Sequence, residues 1–237
     1  MELYRKENID ALYESIKLDE YDDESQFDAR QKSLYNPPEL VDFVKRNIRP
    51  PSVLEIGAGS GRSLDFFPIT NILEPNKFRF SKALERVKYS TTPRVIKQGV
   101  AECIPWETDD FNTVLMIGTL GHLRSMYETF IEVNRVLQRN GHFILDTFEG
   151  YSGFPGVYPT GQNLKEILAD FGFDLVEMRS WPFEGSSSKF FGTSVGLCVK
   201  KVEDFDYKKL RHLQLVKVGE LYRPVNFQVE TRDWNLL

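Results

Sequence analysis

Short apolar runs alternate with amphipathic segments along most of the chain, from about residue 38 to residue 201. The apolar runs have the length of β-strands and lie at 52–56, 69–73, 94–98, 112–117, 142–147, 174–178 and 193–201. The segments between them include helical spacings of apolar residues that begin at about 38, 62, 77, 125 and 163. This alternation predicts an α/β fold whose mostly parallel sheet has helices on both faces.

Three segments refine this prediction. The run 112–117 is almost wholly apolar, which is typical of a central parallel strand. The segment 125–139 has a clear apolar helical face, and Asn140-Gly141 after it predicts a left-handed helix end. The run 193–201 alternates between apolar and polar residues, so we expect it to be an antiparallel strand at an edge of the sheet.

A glycine-rich turn follows the first predicted strand directly. Gly57, Gly59 and Gly61 alternate with small residues, and glycine permits both left-handed backbone angles and close approach of a ligand. Amide groups at such a turn can contact the polar end of a ligand at the carboxyl end of the sheet. A dinucleotide-binding pattern would place its third glycine at Arg62, so the spacing argues against a dinucleotide.

An acidic residue ends the second predicted strand. Glu74 follows Gly57 by 17 residues, and its carboxylate could accept hydrogen bonds from both hydroxyls of a ribose. The alternative is a solvated acid at a strand end. Its position after this turn favours ribose binding.

Four segments in this order resemble the class I S-adenosylmethionine-dependent methyltransferases. The segment 53–61 is similar to the first motif of that family, and 72–75 is similar to its acidic second motif. The segments 99–114 and 132–146 resemble the adenine loop with the fourth strand, and the next helix and strand. The resemblance implies S-adenosylmethionine as cofactor and a Rossmann-like, seven-stranded, mostly parallel sheet with helices on both faces. It further implies an antiparallel last strand and N-terminal lid helices.

The resemblance also implies roles for individual residues. Glycines of the turn would pass under the methionine part of the cofactor, and Glu55 would either brace the turn or meet the amino group. The ribose would bind Glu74, and the methionine part would face Gly118. The implied cofactor-binding residues are Glu55, Gly57, Gly59, Gly61, Glu74, Ala101, Glu102 and Gly118.

One position departs from the family pattern. Val100 stands where family members often have an aspartate that binds the adenine amino group. Valine cannot make that hydrogen bond, so either Glu102 replaces the aspartate or backbone contacts and stacking hold the adenine.

The chemistry of methyl transfer identifies a candidate base. The leaving group is neutral, so a base is needed only when the acceptor must lose a proton, as a hydroxyl does. His122 follows the fourth predicted strand and has an ordinary pKa near neutrality. The alternative is a histidine that packs under the lid or caps the following helix. We expect His142 and His212 to be structural.

A loop rich in glycine and proline follows the fifth predicted strand. It carries Tyr151, Phe154 and Tyr158, which could wall an apolar pocket for the acceptor. The alternative is an ordinary connecting loop.

The composition of the chain limits the kinds of partner that it is expected to bind. The net charge of -5 disfavours nucleic acid, and no apolar run approaches the length of about 20 residues that spans a membrane. The two distant cysteines fit a reducing compartment, and the charged start has no apolar signal core, so we expect a cytoplasmic protein. The sequence shows no metal-ligand pattern, and we expect no metal.

Together these features predict three regions and one leading function. Residues 1–36 would form the lid, 37–201 the cofactor-binding domain, and 202–237 an added strand or a dimer contact, with the homodimer left open. The leading hypothesis is an enzyme that methylates oxygen or nitrogen of a small-molecule acceptor. The alternatives are a non-catalytic, methyltransferase-like protein that binds S-adenosylmethionine or a partner, and an NAD-dependent oxidoreductase.

Overall fold

The computed structural model describes residues 38–88, 94–123, 125–149, 159–184, 191–206, 215–218 and 221–224. The predicted lid and the aromatic residues Tyr151, Phe154 and Tyr158 lie outside these described residues. No helix in the described ranges is long and apolar enough to cross a membrane.

The described helices and strands follow the predicted order. The helices are α1 (Pro38–Asn47), α2 (Lys77–Lys88), α3 (Met126–Val136) and α4 (Gly161–Asp170). The strands are β1 (Val53–Ile56), β2 (Asn71–Glu74), β3 (Val95–Gln98), β4 (Phe111–Met116), β5 (Leu137–Glu149), β6 (Phe173–Glu184), β7 (Phe191–Lys201), β8 (Leu215–Val218) and β9 (Leu221–Pro224). Two 3-10 turns, Arg62–Asp65 and Leu120–His122, follow β1 and β4.

The main sheet has seven strands in the order β3-β2-β1-β4-β5-β7-β6. Strand β7 pairs antiparallel with both β5 and β6, and the other pairs are parallel, which confirms the predicted fold class. The expected edge position of β7 is wrong, because β6 pairs with its far side and forms the edge. Strands β8 and β9 pair with each other in a separate two-stranded sheet.

Both faces of the main sheet are covered by apolar side chains. On one face α3 and α4 contribute Phe130, Leu164 and Leu168, all fully buried against the central strands. On the other face Phe43 of α1 packs against Trp181 of β6, with ring centroids 6.0 Å apart. The core therefore fixes the central strands from both sides.

Three local predictions differ from the structure. Helix α3 ends at Val136, because Leu137 pairs with Phe111 and starts β5; the left-handed Asn140 lies inside that strand segment. Helix α4 begins at Gly161 rather than at about 163, because Thr160 caps it, and the Thr160 hydroxyl accepts a hydrogen bond from the Asn163 N–H at 3.1 Å. The helix expected from residue 62 is a single 3-10 turn.

Candidate functional site

Four strand ends meet where the strand order reverses. On one side of β1 the sheet continues with β2 and then β3. On the other side β1 is paired with β4. Open α/β sheets bind ligands in the crevice at this position, outside the carboxyl ends of the strands. The glycine turn after β1, Glu74 of β2, Gly118 after β4 and Asp146 of β5 all lie at this edge.

The glycine turn requires glycine for two separate reasons. Gly57, Gly59 and Gly61 have φ angles of 70°, 57° and 74°, which side chains disfavour. A Cβ on Gly57 would also lie 2.5 Å from the hydroxyl oxygen of Thr119. The turn after β4 thus packs directly on the turn after β1, at van der Waals distance from its main chain.

Glu74 lies beside the glycine turn and is hydrogen-bonded to it. Its side chain is buried, and its two carboxylate oxygens accept hydrogen bonds from the N–H groups of Gly59 at 2.7 Å and Asn76 at 2.9 Å. Burial raises the pKa of Glu74, although these hydrogen bonds and the nearby Arg79 lower it. Glu74 therefore holds the turn in place, and each oxygen has capacity for a further hydrogen bond.

Glu55 is buried below the turn. Its carboxylate accepts a hydrogen bond from the Ser63 hydroxyl in the 3-10 turn that follows the glycines. This contact favours the bracing role among the two roles considered for Glu55. Its contact with a cofactor amino group stays a prediction.

The predicted adenine-side residues are buried near the start of α3. Ala101 and Glu102 are both buried, and a carboxylate oxygen of Glu102 accepts a hydrogen bond from the Ser125 N–H at 3.2 Å. Ser125 is the N-cap of α3, where a carboxylate is favourable to the helix dipole. The structure thus gives Glu102 a role at the helix start, and its contact with adenine stays a prediction.

His122 is exposed at the end of the 3-10 turn that follows β4. Its backbone N–H donates to the carbonyl of Thr119 at 2.9 Å, so its position is tied to the turn that packs on Gly57. The structure therefore brings His122 to the expected edge of the sheet. Its role as a base stays a prediction.

Asp146 is a site residue that the sequence analysis missed. It is buried in β5, and its carboxylate accepts a hydrogen bond from the Gly118 N–H at 2.7 Å. Burial raises the pKa of Asp146 to about 7, although the N–H groups of Gly118 and of Asp146 itself lower it. A single acid within the apolar run 143–148 was the available signal, but its partner lies 28 residues away.

Arg62 is a second residue that was missed. It directly follows the third glycine and is half-buried, and its Nε is buried with no hydrogen-bond partner among the described residues. A buried donor without a partner is costly, so this guanidinium is suited to donate hydrogen bonds to an anionic ligand group. No group of three or more potential metal ligands is found in the described ranges.

Comparisons of sequence identify a domain. Residues 54–145 match a family model described as a methyltransferase domain. The chain is also 26% identical over 142 residues to an uncharacterized protein of Mycobacterium tuberculosis, and this match covers 53% of the chain and 48% of the relative. The chain thus spans about half the length of the curated relatives it matches.

Comparisons of structure show the same fold in several proteins. A Thermotoga maritima protein described as an S-adenosylmethionine-dependent methyltransferase, a possible histamine N-methyltransferase, gives a TM-score of 0.59 at 17% identity, covering 78% of this chain and 96% of that chain. A chain from the complex between the Haloferax volcanii Trm112 methyltransferase activator and a candidate methyltransferase gives 0.61 at 14% identity, covering 77% and 96%. The cyclase SpnF gives 0.59 at 14% identity, covering 69% and 81%.

The two kinds of comparison support different conclusions. The structural likenesses, at 14% to 17% identity, show the fold. The family model identifies the segment that contains the glycine turn, Glu74 and β4. The resemblance predicted from the four sequence segments is thus confirmed as a methyltransferase domain over residues 54–145.

Proposed function

We propose that this chain, whose residues 54–145 match a methyltransferase domain, is an S-adenosylmethionine-dependent enzyme that methylates oxygen or nitrogen of a small-molecule acceptor. The observation that carries the proposal is the contact between Glu74 and the Gly59 N–H at 2.7 Å. This contact joins an acidic residue of β2 to the glycine turn of β1, at the point where such sheets bind nucleosides.

Glu74 would hold the ribose of the cofactor. Each carboxylate oxygen already accepts one backbone N–H and retains a lone pair for a ribose hydroxyl. The two N–H groups favour the ionised carboxylate, which is the stronger acceptor. A bound ribose would thus meet a carboxylate whose orientation is already fixed.

The charges around the turn match the amino-acid tail of the cofactor. The buried carboxylates of Glu74 and Glu55 bond to the glycine turn and to the 3-10 turn after it, and their charge suits the ammonium group rather than the carboxylate. The Arg62 Nε has no hydrogen-bond partner among the described residues, so Arg62 would bind the cofactor carboxylate. Arg62 would thus bind the carboxylate and the two acids would attract the ammonium group, which together would orient the amino-acid tail of the cofactor.

The residues after β4 would serve the transfer itself. S-adenosylmethionine supplies an electrophilic methyl group on a sulfonium, and its departure leaves a neutral thioether. Thr119, packed on Gly57, would fix the wall beside the reacting carbon, since transfer depends on alignment. For a hydroxyl acceptor, the O–C bond forms as the S–C bond breaks, and His122 would take the hydroxyl proton.

The acceptor would be a small molecule that binds beside this wall. The net charge of -5 disfavours a phosphate backbone, and Tyr151, Phe154 and Tyr158 would supply apolar contacts. The cytoplasmic location and the three-region division also stay proposals. One structural neighbour binds an activator protein and another is a cyclase, so partner binding without methyl transfer is the competing function.

Calorimetry with S-adenosylmethionine and S-adenosylhomocysteine tests cofactor binding. We expect the natural chain to bind both, and Glu74→Ala to bind at least tenfold more weakly, about 1.4 kcal/mol. Glu85→Ala, which removes an exposed acid of α2, is the matched control and should leave affinity unchanged. No uptake of either compound by the natural chain would overturn the proposal, and uptake of NAD instead would support an oxidoreductase.

The same preparations test the transfer. With a labelled methyl group and panels of hydroxyl and amine acceptors, we expect His122→Ala to lose roughly a hundredfold in turnover on hydroxyls and to keep turnover on amines. Normal turnover on a hydroxyl would remove His122 as the base. Cofactor binding without transfer to any acceptor would favour the non-catalytic alternative.

A further inference from the structure

Asp146 is an acid inside the apolar core of the central sheet. Its side chain is 2% exposed, and its neighbours Leu145 and Thr147 are fully buried. An ionisable group in such a place costs free energy, and an apolar side chain of similar size would avoid that cost. The residue is therefore poorly explained as a contribution to stability alone.

The carboxylate of Asp146 holds the end of the neighbouring strand. The parallel pairing of β4 with β5 ends at Met116 and Leu145, so Gly118 lies beyond the ladder. The Gly118 N–H donates instead to the Asp146 carboxylate at 2.7 Å, and Gly118 has a left-handed φ of 64°. One side-chain hydrogen bond thus sets the direction in which the chain leaves β4.

That direction decides how the two turns of the site pack. Thr119 follows Gly118, and its hydroxyl lies 3.3 Å from the Ile56 carbonyl and 3.2 Å from the Ile117 carbonyl. The same hydroxyl approaches Gly57 so closely that a Cβ there would lie 2.5 Å away. A small displacement of Gly118 would therefore move the wall beside the glycine turn.

Glu74 holds the glycine turn itself, whereas Asp146 holds the turn after β4 that packs on it. Glu74 of β2 binds the Gly59 N–H, and Asp146 of β5 binds the Gly118 N–H, each at 2.7 Å. The two acids thus fix both sides of the crevice through backbone N–H groups. The shift in the pKa of Asp146 has burial as its largest cause, and no charged side chain is among the causes.

We propose that Asp146 is a positioning residue of the cofactor site, which acts through the Gly118 N–H to hold Thr119 against the glycine turn. This inference rests on the proposed cofactor binding and adds a residue that does not touch the cofactor. It assigns the carboxylate a geometric role that an amide oxygen can also fill.

Binding of S-adenosylhomocysteine to three variants tests the inference. We expect Asp146→Ala to bind at least tenfold more weakly and Asp146→Asn to bind within threefold of the natural chain, because asparagine keeps the acceptor oxygen. Thr147→Val is the matched control, since it alters the next buried residue of β5, whose hydroxyl donates to the Pro159 carbonyl rather than to β4. It should bind like the natural chain.

The Gly118 amide proton gives a readout that needs no ligand. In the free protein we expect its NMR signal to move upfield in Asp146→Ala and to titrate with a midpoint near the pKa of Asp146 in the natural chain. Unchanged Gly118 shifts, unchanged affinity of Asp146→Ala, or equal losses in Asp146→Ala and Asp146→Asn would overturn the inference. Failure of the natural chain to bind, with the NMR shifts as expected, would instead overturn the proposed cofactor binding.

Discussion

The two ends of the central sheet both bury charged groups, but they neutralise them in different ways. At the amino end of the parallel strands, Lys201 is 2% exposed and lies 3.0 Å from a carboxylate oxygen of Asp109 and 2.9 Å from one of Asp204. At the carboxyl end, the buried carboxylates of Glu74 and Asp146 accept hydrogen bonds from backbone N–H groups, and no ion pair is described for either.

This difference is the one expected between a structural ion pair and a ligand site. The Lys201 ammonium has opposite charges within ion-pair distance, and it lowers the pKa of Asp204. Burial raises the pKa values of Glu74 and Asp146, while Arg62 retains an unbonded donor atom among the described residues. Charges that the fold leaves incompletely compensated are typical of ligand sites.

The largest expected effect is a pH dependence that comes from the carboxyl end. The pKa of Asp146 rises from 3.8 to about 7 in the folded protein, so between these values the native state binds more protons than the unfolded state. The free energy of unfolding should fall as pH rises through this window, by at most about 4 kcal/mol. The free energy of unfolding of Asp146→Asn, measured relative to that of the natural chain, should therefore rise with pH through this window and level off above pH 7.

Urea unfolding of both chains at several pH values measures this difference. The opposite pH dependence of stability is expected at the amino end. Lys201 lowers the pKa of Asp204, so the stabilisation from this ion pair is lost as pH falls. A constant difference between Asp146→Asn and the natural chain from pH 4 to pH 8 would contradict the prediction.

Lys201→Ala should give the next largest effect, and only on stability. Removing a buried side chain and its two ion pairs should lower the free energy of unfolding by about 3 kcal/mol. Affinity for S-adenosylhomocysteine should stay unchanged, because Lys201 and its two partners lie at the amino end of the strands, away from the glycine turn. Lys200→Ala, one residue away and partly exposed, is the control and should cost less than about 0.5 kcal/mol.

Two glycines, one at each end of the parallel strands, allow a matched comparison of stability and cofactor affinity. Gly57 and Gly172 have φ angles of 70° and 83°, and a Cβ on either would lie 2.5 Å from a neighbouring oxygen. Alanine should therefore destabilise both sites. Only Gly57→Ala should also weaken cofactor binding, by about a hundredfold or 2.7 kcal/mol. Equal affinity of the two variants would show that the glycine turn does not contact the cofactor.

The sequence predicted the fold because its strands are strongly patterned. The turn at Gly57 and its neighbour Glu74 were also predicted, since both are tied to the ends of consecutive strands. The end of α3 was mispredicted because Asn140-Gly141 resembles a helix stop, whereas pairing of Leu137 with Phe111 starts β5 earlier. Local sequence cannot report such pairing between distant strands.

The rest of the site depends on contacts between residues far apart in the chain. The resemblance places Glu102 beside adenine, and the structure adds a contact of its carboxylate with the Ser125 N–H, 23 residues later. The contacts of Thr119 with Gly57 and of Asp146 with Gly118 likewise require the strand order. A sequence pattern can place each residue at a strand end, but it cannot show which neighbouring strand that residue meets.

The reversed direction of β7 has a consequence for how this scaffold can change. The parallel strands are joined by crossovers that return along the sheet, whereas β6 and β7 pair antiparallel, and Glu184 at the end of β6 lies opposite Phe191 at the start of β7, at the same rim as the crevice. A hairpin connection can gain or lose residues without rebuilding a helix. The sequence between Glu184 and Phe191 can therefore change in length while the pairing of the main sheet stays constant.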